Sequence, residues 1–243
     1  MRDRFFVEGV HAAGDRVEMA AGDARKLVSV LRKRSGDRVR IVDSAGTAFA
    51  AVLDVGERAV RAQLESVVDA AAEATLQVTL AQAVPKGAKM DFVVEKAVEL
   101  GVHAVVPVRT ERVVAQASGG AKVDRWRRIA RAAAQQSGRA HVPEVGDVIA
   151  WDALLATFAR YDRVYVPWEL ADPAPLRTVL DRDLTDAGSV LLAIGPEGGF
   201  SADEIDAARD AGATVVSLGR RILRTETAAL VVLAALRYAR GEL

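Results

Sequence analysis

The apolar run Val190-Leu191-Leu192-Ala193-Ile194 stops at Gly195-Pro196-Glu197-Gly198-Gly199-Phe200 and resumes as Ser201-Ala202-Asp203-Glu204. Little else in the chain restricts the fold as much. Five unbroken apolar residues read as a strand buried on both faces. A proline and three glycines end it, and Ser-x-x-Glu is the capping box that opens a helix. Strand, glycine-rich turn and helix start together describe how an α/β protein offers backbone N–H groups to a ligand. The arrangement recurs downstream. Strand Thr214–Leu218 meets Gly219, and a loop then runs into a long helix from Thr225. Two such loops, on strands expected to be adjacent, would line one crevice.

Glycines alone do not name the ligand. Gly-Pro-Glu-Gly-Gly is neither the dinucleotide fingerprint nor a phosphate-binding loop, because no Gly-Lys-Ser/Thr follows. A tight turn without a ligand would use the same residues. The segment Arg221-Ile222-Leu223-Arg224-Thr225-Glu226-Thr227-Ala228 is harder to explain as a bare helix start. One cap suffices for a helix, whereas this one carries two threonines, a glutamate and two arginines beside an apolar pair.

The rest of the chain falls into two patterns. Up to about residue 70 it reads as short strands at 4–7, 16–18, 38–43, 48–53 and 59–67, punctuated by Ser35-Gly36-Asp37 and Ser44-Ala45-Gly46, with one helix at 22–31. That suggests a small β-barrel. From Thr75 strands and helices alternate, which implies a parallel sheet covered by helices. Strands are expected at 76–83, 104–108, 163–166, 190–194 and 214–218. Helices are expected at 89–100, from an Asp124 cap to Ser137, at 201–211 and at 225–240, with a further segment at 151–159. The expected domains are 1–70 and 74–243.

Composition narrows the class. No apolar run reaches the roughly 18–20 residues of a membrane span, and Met1–Phe5 lacks the apolar core of a signal peptide, so a cytoplasmic protein is expected. Cysteine is absent, and His11, His103 and His141 have no ligand spacing, so no metal is expected. The formal charge is zero, yet its distribution is uneven. Arg25–Arg40 holds seven basic residues against Asp37, Lys122–Arg139 holds six against Asp124, and Arg220–Arg240 holds five against Glu226. Local patches neutralise phosphates whatever the net charge. Arg2, Arg4, Arg32, Lys33, Arg34, Arg125 and Arg139 are the candidate RNA contacts.

Ile194–Phe200 and Leu218–Ala228 resemble signatures of the small-subunit (16S) ribosomal RNA uridine N3-methyltransferases of the SPOUT superfamily. The likeness extends to Lys86-Gly87-Ala88-Lys89-Met90 with Glu95–Val102, to Arg125-Trp126 with Ala134–Arg139, and to Arg4–Val7 with Val30-Leu31-Arg32. Gln135 stands where glutamate is usual, and Lys26 where histidine is common. The resemblance implies a PUA-like RNA-binding barrel followed by a SPOUT domain with a trefoil knot, acting as a homodimer. It implies S-adenosylmethionine as cofactor and N3 of a uridine (position 1498 of 16S ribosomal RNA) as acceptor, in free RNA or in the small ribosomal subunit. The expected cofactor contacts are Gly195, Pro196, Glu197, Gly198, Gly199, Leu218, Gly219, Ile222, Leu223, Arg224 and Thr225. Glu197 and Glu226 are the candidate bases, their carboxyls raised by burial, and Arg224 the candidate stabiliser of charge on the uracil oxygens. Another SPOUT methyltransferase acting on ribose 2′-OH, or a non-catalytic RNA-binding protein of this fold, remains open at this level.

Overall fold

The structure is a computed structural model that describes residues 4–69, 73–112, 120–169 and 174–243. The chain packs as two units, residues 1–73 with 134–142, and residues 74–133 with 143–243. The segment 134–142, read from sequence as part of the second domain, groups with the first.

The first unit contains β1 (Arg4–Phe6), β2 (Arg16–Glu18), α1 (Ala21–Arg25), β3 (Arg38–Val42), β4 (Ala48–Val55) and β5 (Val60–Val68). Its sheet runs β1-β3-β4-β5-β2, with only the β1–β3 pair parallel. Alternation fixes the faces. In β5, Val60, Ala62 and Leu64 are buried while Arg61, Gln63 and Glu65 face water. The inward set joins Phe5, Leu27, Val39, Ile41 and Phe49 in one core.

The helix expected at 22–31 is shorter. After α1 the backbone widens into a π turn over Lys26–Val30, and Leu31 N–H reaches the Lys26 carbonyl at 2.9 Å. Lys33 N–H then closes on the Leu27 carbonyl at 2.9 Å, which leaves Arg32 in the left-handed region at φ 54°. A residue in that conformation is a common way to end a helix, although glycine usually fills the place.

The second unit contains β6 (Gln77–Ala83), α2 (Lys89–Glu99), β7 (Ala104–Arg109), α3 (Gly120–Ser137), β8 (Glu144–Val145), β9 (Ile149–Ala150), α4 (Trp151–Leu155), β10 (Arg163–Pro167), β11 (Ala174–Pro175), α5 (Leu176–Asp183), β12 (Ser189–Ile194), α6 (Ala202–Asp210), β13 (Thr214–Ser217) and α7 (Thr225–Ala239); the last four residues of α3 pack with the first unit. Its sheet is parallel in every pair, in the order β11-β13-β10-β12-β6-β7-β8 with β9 beside β7. Central strands of such a sheet are apolar on both faces. Val78 through Ala83 of β6 and Val190 through Ile194 of β12 are accordingly all buried.

The capping box at the start of α6 is present, with Ser201 accepting from Glu204 N–H and Glu204 accepting from Ser201 N–H. Asp124 is not a cap. Helix α3 begins at Gly120, so Asp124 lies inside it and meets Arg127 at 3.3 Å. Its apolar side has Trp126, Ala130, Ala133 and Ala134 buried and Ile129 half-buried. Among the described residues no helix is long and apolar enough to cross a membrane.

Candidate functional site

Parallel strands deliver all their C-terminal ends to one edge of a sheet, and ligands of open α/β sheets bind there. The two glycine-bearing loops follow β12 and β13, but these strands are not adjacent as expected. β10 lies between them. The end of β10 and the loop after it must therefore enter the same site, and Pro167, Trp168 and Glu169 do so. Sequence reading ended that strand at Val166 and missed them. The available signal was the Pro-Trp-Glu turn at the end of a buried strand.

The resulting cleft measures about 280 Å³. Its walls are the turn after β12, the segment Ser217–Thr225 and the loop after β10. Two backbone positions demand glycine. Gly199 has φ +68°, and a Cβ there would lie 2.6 Å from Glu169 Oε1. Gly219 has φ +94° and opens onto empty space, so backbone alone forms that part of the wall.

Of the residues expected to hold a ligand, Gly195, Pro196, Glu197, Gly199, Leu218, Gly219, Ile222, Leu223, Arg224 and Thr225 line the cleft. Gly198 does not. A Cβ on it would point at Arg112, whose guanidinium donates to the Gly198 carbonyl at 2.9 Å. Ile222 is 88% exposed, so it belongs to no core. With the half-buried Leu218 and Leu223 it forms an apolar wall open to solvent, suited to the flat face of an aromatic ligand.

Polar groups fix the walls to one another. Thr225 is buried, donates its hydroxyl to the Gly195 carbonyl at 2.6 Å, and accepts from Gln82 Nε2 at 2.8 Å. The first residue of α7 is thus bonded to the turn after β12 and to β6. Arg224 occupies the N-cap position of α7, and its carbonyl accepts the first helical N–H groups.

The two candidate bases share one cation. Lys89 Nζ lies 3.0 Å from Glu197 Oε1 and 3.5 Å from Glu226 Oε2. The Lys86 backbone N–H also donates to Glu197, at 3.1 Å. Burial pushes the Glu197 carboxyl up, but its hydrogen bonds to backbone and to Lys89 outweigh that and hold it below the usual range. A carboxylate so held accepts no proton near neutrality, contrary to the raised value expected of a base. Glu226 does not line the cleft. Lys89, Gln82 and Arg112 were not foreseen as site residues, because nothing local in the sequence ties them to loops more than eighty residues away.

The candidate RNA contacts divide. Arg32 and Arg34 are exposed and Lys33 is half-buried. Arg125 is exposed but pairs with Asp91 at 2.6 Å. Arg4 is buried and donates to the Gly138 carbonyl. Arg139 is buried and its guanidinium grips Glu73 at 2.6 Å. Both side chains are buried and bonded within the protein, unlike the exposed Arg32 and Arg34. Arg2 lies outside the described residues.

The RNA methyltransferase domain family matches residues 72–237. The chain is 30% identical to Ribosomal RNA small subunit methyltransferase E of Bacillus subtilis over 223 residues, 89% of this chain and 87% of that protein. A crystal structure of Ribosomal RNA small subunit methyltransferase E from Neisseria gonorrhoeae, bound to S-adenosyl methionine, superposes with a TM-score of 0.88 at 32% identity, covering 98% of both chains. The structure of the putative methyltransferase Lpg2936 from Legionella pneumophila, with bound cofactor SAM, gives the same TM-score at 30% identity, again over 98% of both.

Proposed function

This chain belongs to the ribosomal RNA small subunit methyltransferase E family, and from that premise we propose that it methylates N3 of a uridine in 16S ribosomal RNA, using S-adenosylmethionine. The observation that carries the reading is the cleft after β12 and β13. It combines glycine backbone at Gly199 and Gly219 with a solvent-facing apolar wall at Leu218, Ile222 and Leu223. An adenine needs that wall and a ribose needs close backbone, so the residues present fit the cofactor.

The cofactor would lie between the Gly195–Gly199 turn and the Leu218–Thr225 loop, and when bound it supplies an electrophilic methyl group on a sulfonium. The protein's part is placement and charge. Transfer from a cation to an anionic nucleophile cancels charge, so a site screened from water favours it. The half-buried Leu223 and Trp168 do the screening. Arg224, at the rim, holds negative charge on the uracil oxygens once the N3 proton has passed to solvent water, before the site closes over the acceptor. Glu197, ionised and bound to Lys89, acts as a structural anion.

A PUA-like barrel, a trefoil knot, a cytoplasmic location and a homodimer complete the proposal. The chain's path supports the knot. After β13 the chain passes β10 to reach β12 and β6, where Thr225 bonds Gly195 and Gln82. The outward face of α7 supports the dimer, since Val231 and Tyr238 are exposed beside half-buried Leu230, Ala234 and Ala235.

The deciding experiment is transfer of labelled methyl to small-subunit RNA and to small subunits, with the product digested to nucleosides. N3-methyluridine is the expected product, and a 2′-O-methylated nucleoside or no transfer would overturn the assignment. A companion variant tests the cleft. Ile222→Asp removes an exposed apolar contact, so folding by circular dichroism should be unchanged while calorimetry shows cofactor affinity reduced by at least about tenfold, roughly 1.4 kcal/mol.

A further inference from the structure

Two of the cleft's three walls come from segments that the sheet does not join directly. The turn after β12 forms one side, and the loop entering α7 forms the other. Each carries a glutamate, Glu197 in the cleft wall and Glu226 outside it, and both glutamates meet one ammonium. Lys89, the first residue of α2, lies 3.0 Å from Glu197 on the turn and 3.5 Å from Glu226 in the first turn of α7. Its own segment reinforces the first contact through the Lys86 N–H, at 3.1 Å from the same oxygen. The three side chains are only partly exposed, at 34%, 31% and 15% for Lys89, Glu197 and Glu226. Glu226 Oε2 is shut off from water and accepts no hydrogen bond among the described residues.

We propose that Lys89 is a positioning residue that clamps the Gly195–Gly199 turn to the start of α7 and so sets the width of the cofactor cleft. The inference rests on the function proposed above and deepens it. The physical argument is one of charge. Without the ammonium, two carboxylates face each other, one with an oxygen that water cannot reach. Like charges in that setting repel, and a buried charge stripped of its partner is costly. The turn and the helix start would then move apart, and with them Gly195, Pro196 and Gly199 on one side and Leu223, Arg224 and Thr225 on the other. Among the described residues, the Thr225–Gly195 hydrogen bond would be the direct polar tie left between them. The raised pKa of Lys89, due first to its bond with Glu197, keeps the clamp charged throughout the neutral range.

Four variants of the full chain test this: Lys89→Met, which keeps length and removes charge; Lys89→Arg, which keeps charge; Glu197→Gln; and Glu197→Gln combined with Lys89→Met. Hydrogen exchange without cofactor should show 195–200 and 224–228 losing protection together in Lys89→Met and keeping it in Lys89→Arg. Calorimetry should show affinity for S-adenosylmethionine and S-adenosylhomocysteine reduced on the order of tenfold in Lys89→Met, and largely restored in Lys89→Arg. Adding Glu197→Gln to Lys89→Met should cost little more. Unchanged protection in either segment, or wild-type affinity in Lys89→Met, overturns the clamp. Failure of Lys89→Arg to rescue overturns it too. Failure of the wild type to bind either ligand would strike the proposed function instead, and the exchange result would still decide whether the clamp exists.

Discussion

Arg32 shows how one residue can carry two opposed demands. It closes the π turn with φ 54°, where a side chain costs about 1 kcal/mol relative to glycine. Its sequence neighbours are the basic Lys33 and Arg34, and its side chain is exposed. A strained residue kept for its guanidinium predicts a trade. Arg32→Gly should raise stability in a denaturant titration by about 1 kcal/mol. It should also weaken RNA binding and flatten the slope of log affinity against log salt by about 0.7–0.9, the share of one phosphate contact. A variant that is stabilised but binds RNA with the parent's salt slope would assign Arg32 to the turn alone. At this scale the sequence was legible where conformation depends on near neighbours. The Ser201–Glu204 capping box and the glycine turn were readable. Burial of Arg4 was not, because Arg4 and Gly138 are 134 positions apart and no local pattern joins them.

Elements repeat that contrast between near and far. Central strand β12 announced itself as the unbroken apolar run Val190–Ile194, and α2 by its 3–4 spacing of Met90, Val93, Val94 and Ala97. The order of strands was not announced, so the β10 loop was missed as a wall of the cleft. Two departures from the family pattern also acquire meaning only in three dimensions. Lys26 Nζ donates to Gln135 Oε1 at 3.0 Å, and Gln135 Nε2 donates to Asp23 Oδ1 at 2.9 Å. The amide serves as acceptor to one partner and donor to the other, which a carboxylate cannot do. Gln135→Glu should therefore destabilise this protein by about 1–2 kcal/mol, although it matches the family, and Asp23→Asn should relieve the loss. Thermal melts of the two single variants and the pair measure it; an additive pair would show that the three side chains do not act together. Helix α7 supplies a further element-scale test. Its outward apolar stripe predicts that Val231→Glu weakens self-association by at least roughly tenfold in light scattering, with helical content unchanged. A monomeric wild type would leave that face without a role in assembly.

For the second unit as a whole, the basic run near the C-terminus was misleading in one respect. Arg237 counts toward that run in sequence but is 2% exposed in the structure. It donates to the carbonyls of Leu76 and Leu100 at 2.7 and 3.2 Å, and pairs with Glu242 at 2.7 Å. Glu242 in turn accepts from Thr75 N–H at 2.7 Å and from Leu76 N–H at 3.1 Å. The last turn of the chain is thereby latched to the entry of β6 at the middle of the sheet and to the end of α2. Charge counting cannot distinguish such an arginine from one that meets a phosphate, since only burial separates them. The latch has a pH signature. Burial acts to raise the Glu242 carboxyl, but hydrogen bonds from Thr75, Arg237 and the Leu76 and Thr75 amides bring it down to about 2. A carboxyl depressed on folding stabilises the native state fully above its unfolded value of about 4.3, and that stability is lost as pH falls toward the folded value. The contribution is on the order of 3 kcal/mol near neutrality. Glu242→Gln leaves Arg237 buried without a countercharge, so the variant should be less stable than the parent by about that amount at pH 7. The difference should shrink between about pH 4.5 and 2, because there the parent's own carboxyl becomes neutral. Denaturant titrations of both proteins across this range give the two curves. Curves that stay parallel down to the acid limit would mean that Glu242 does not hold the C-terminus by its charge.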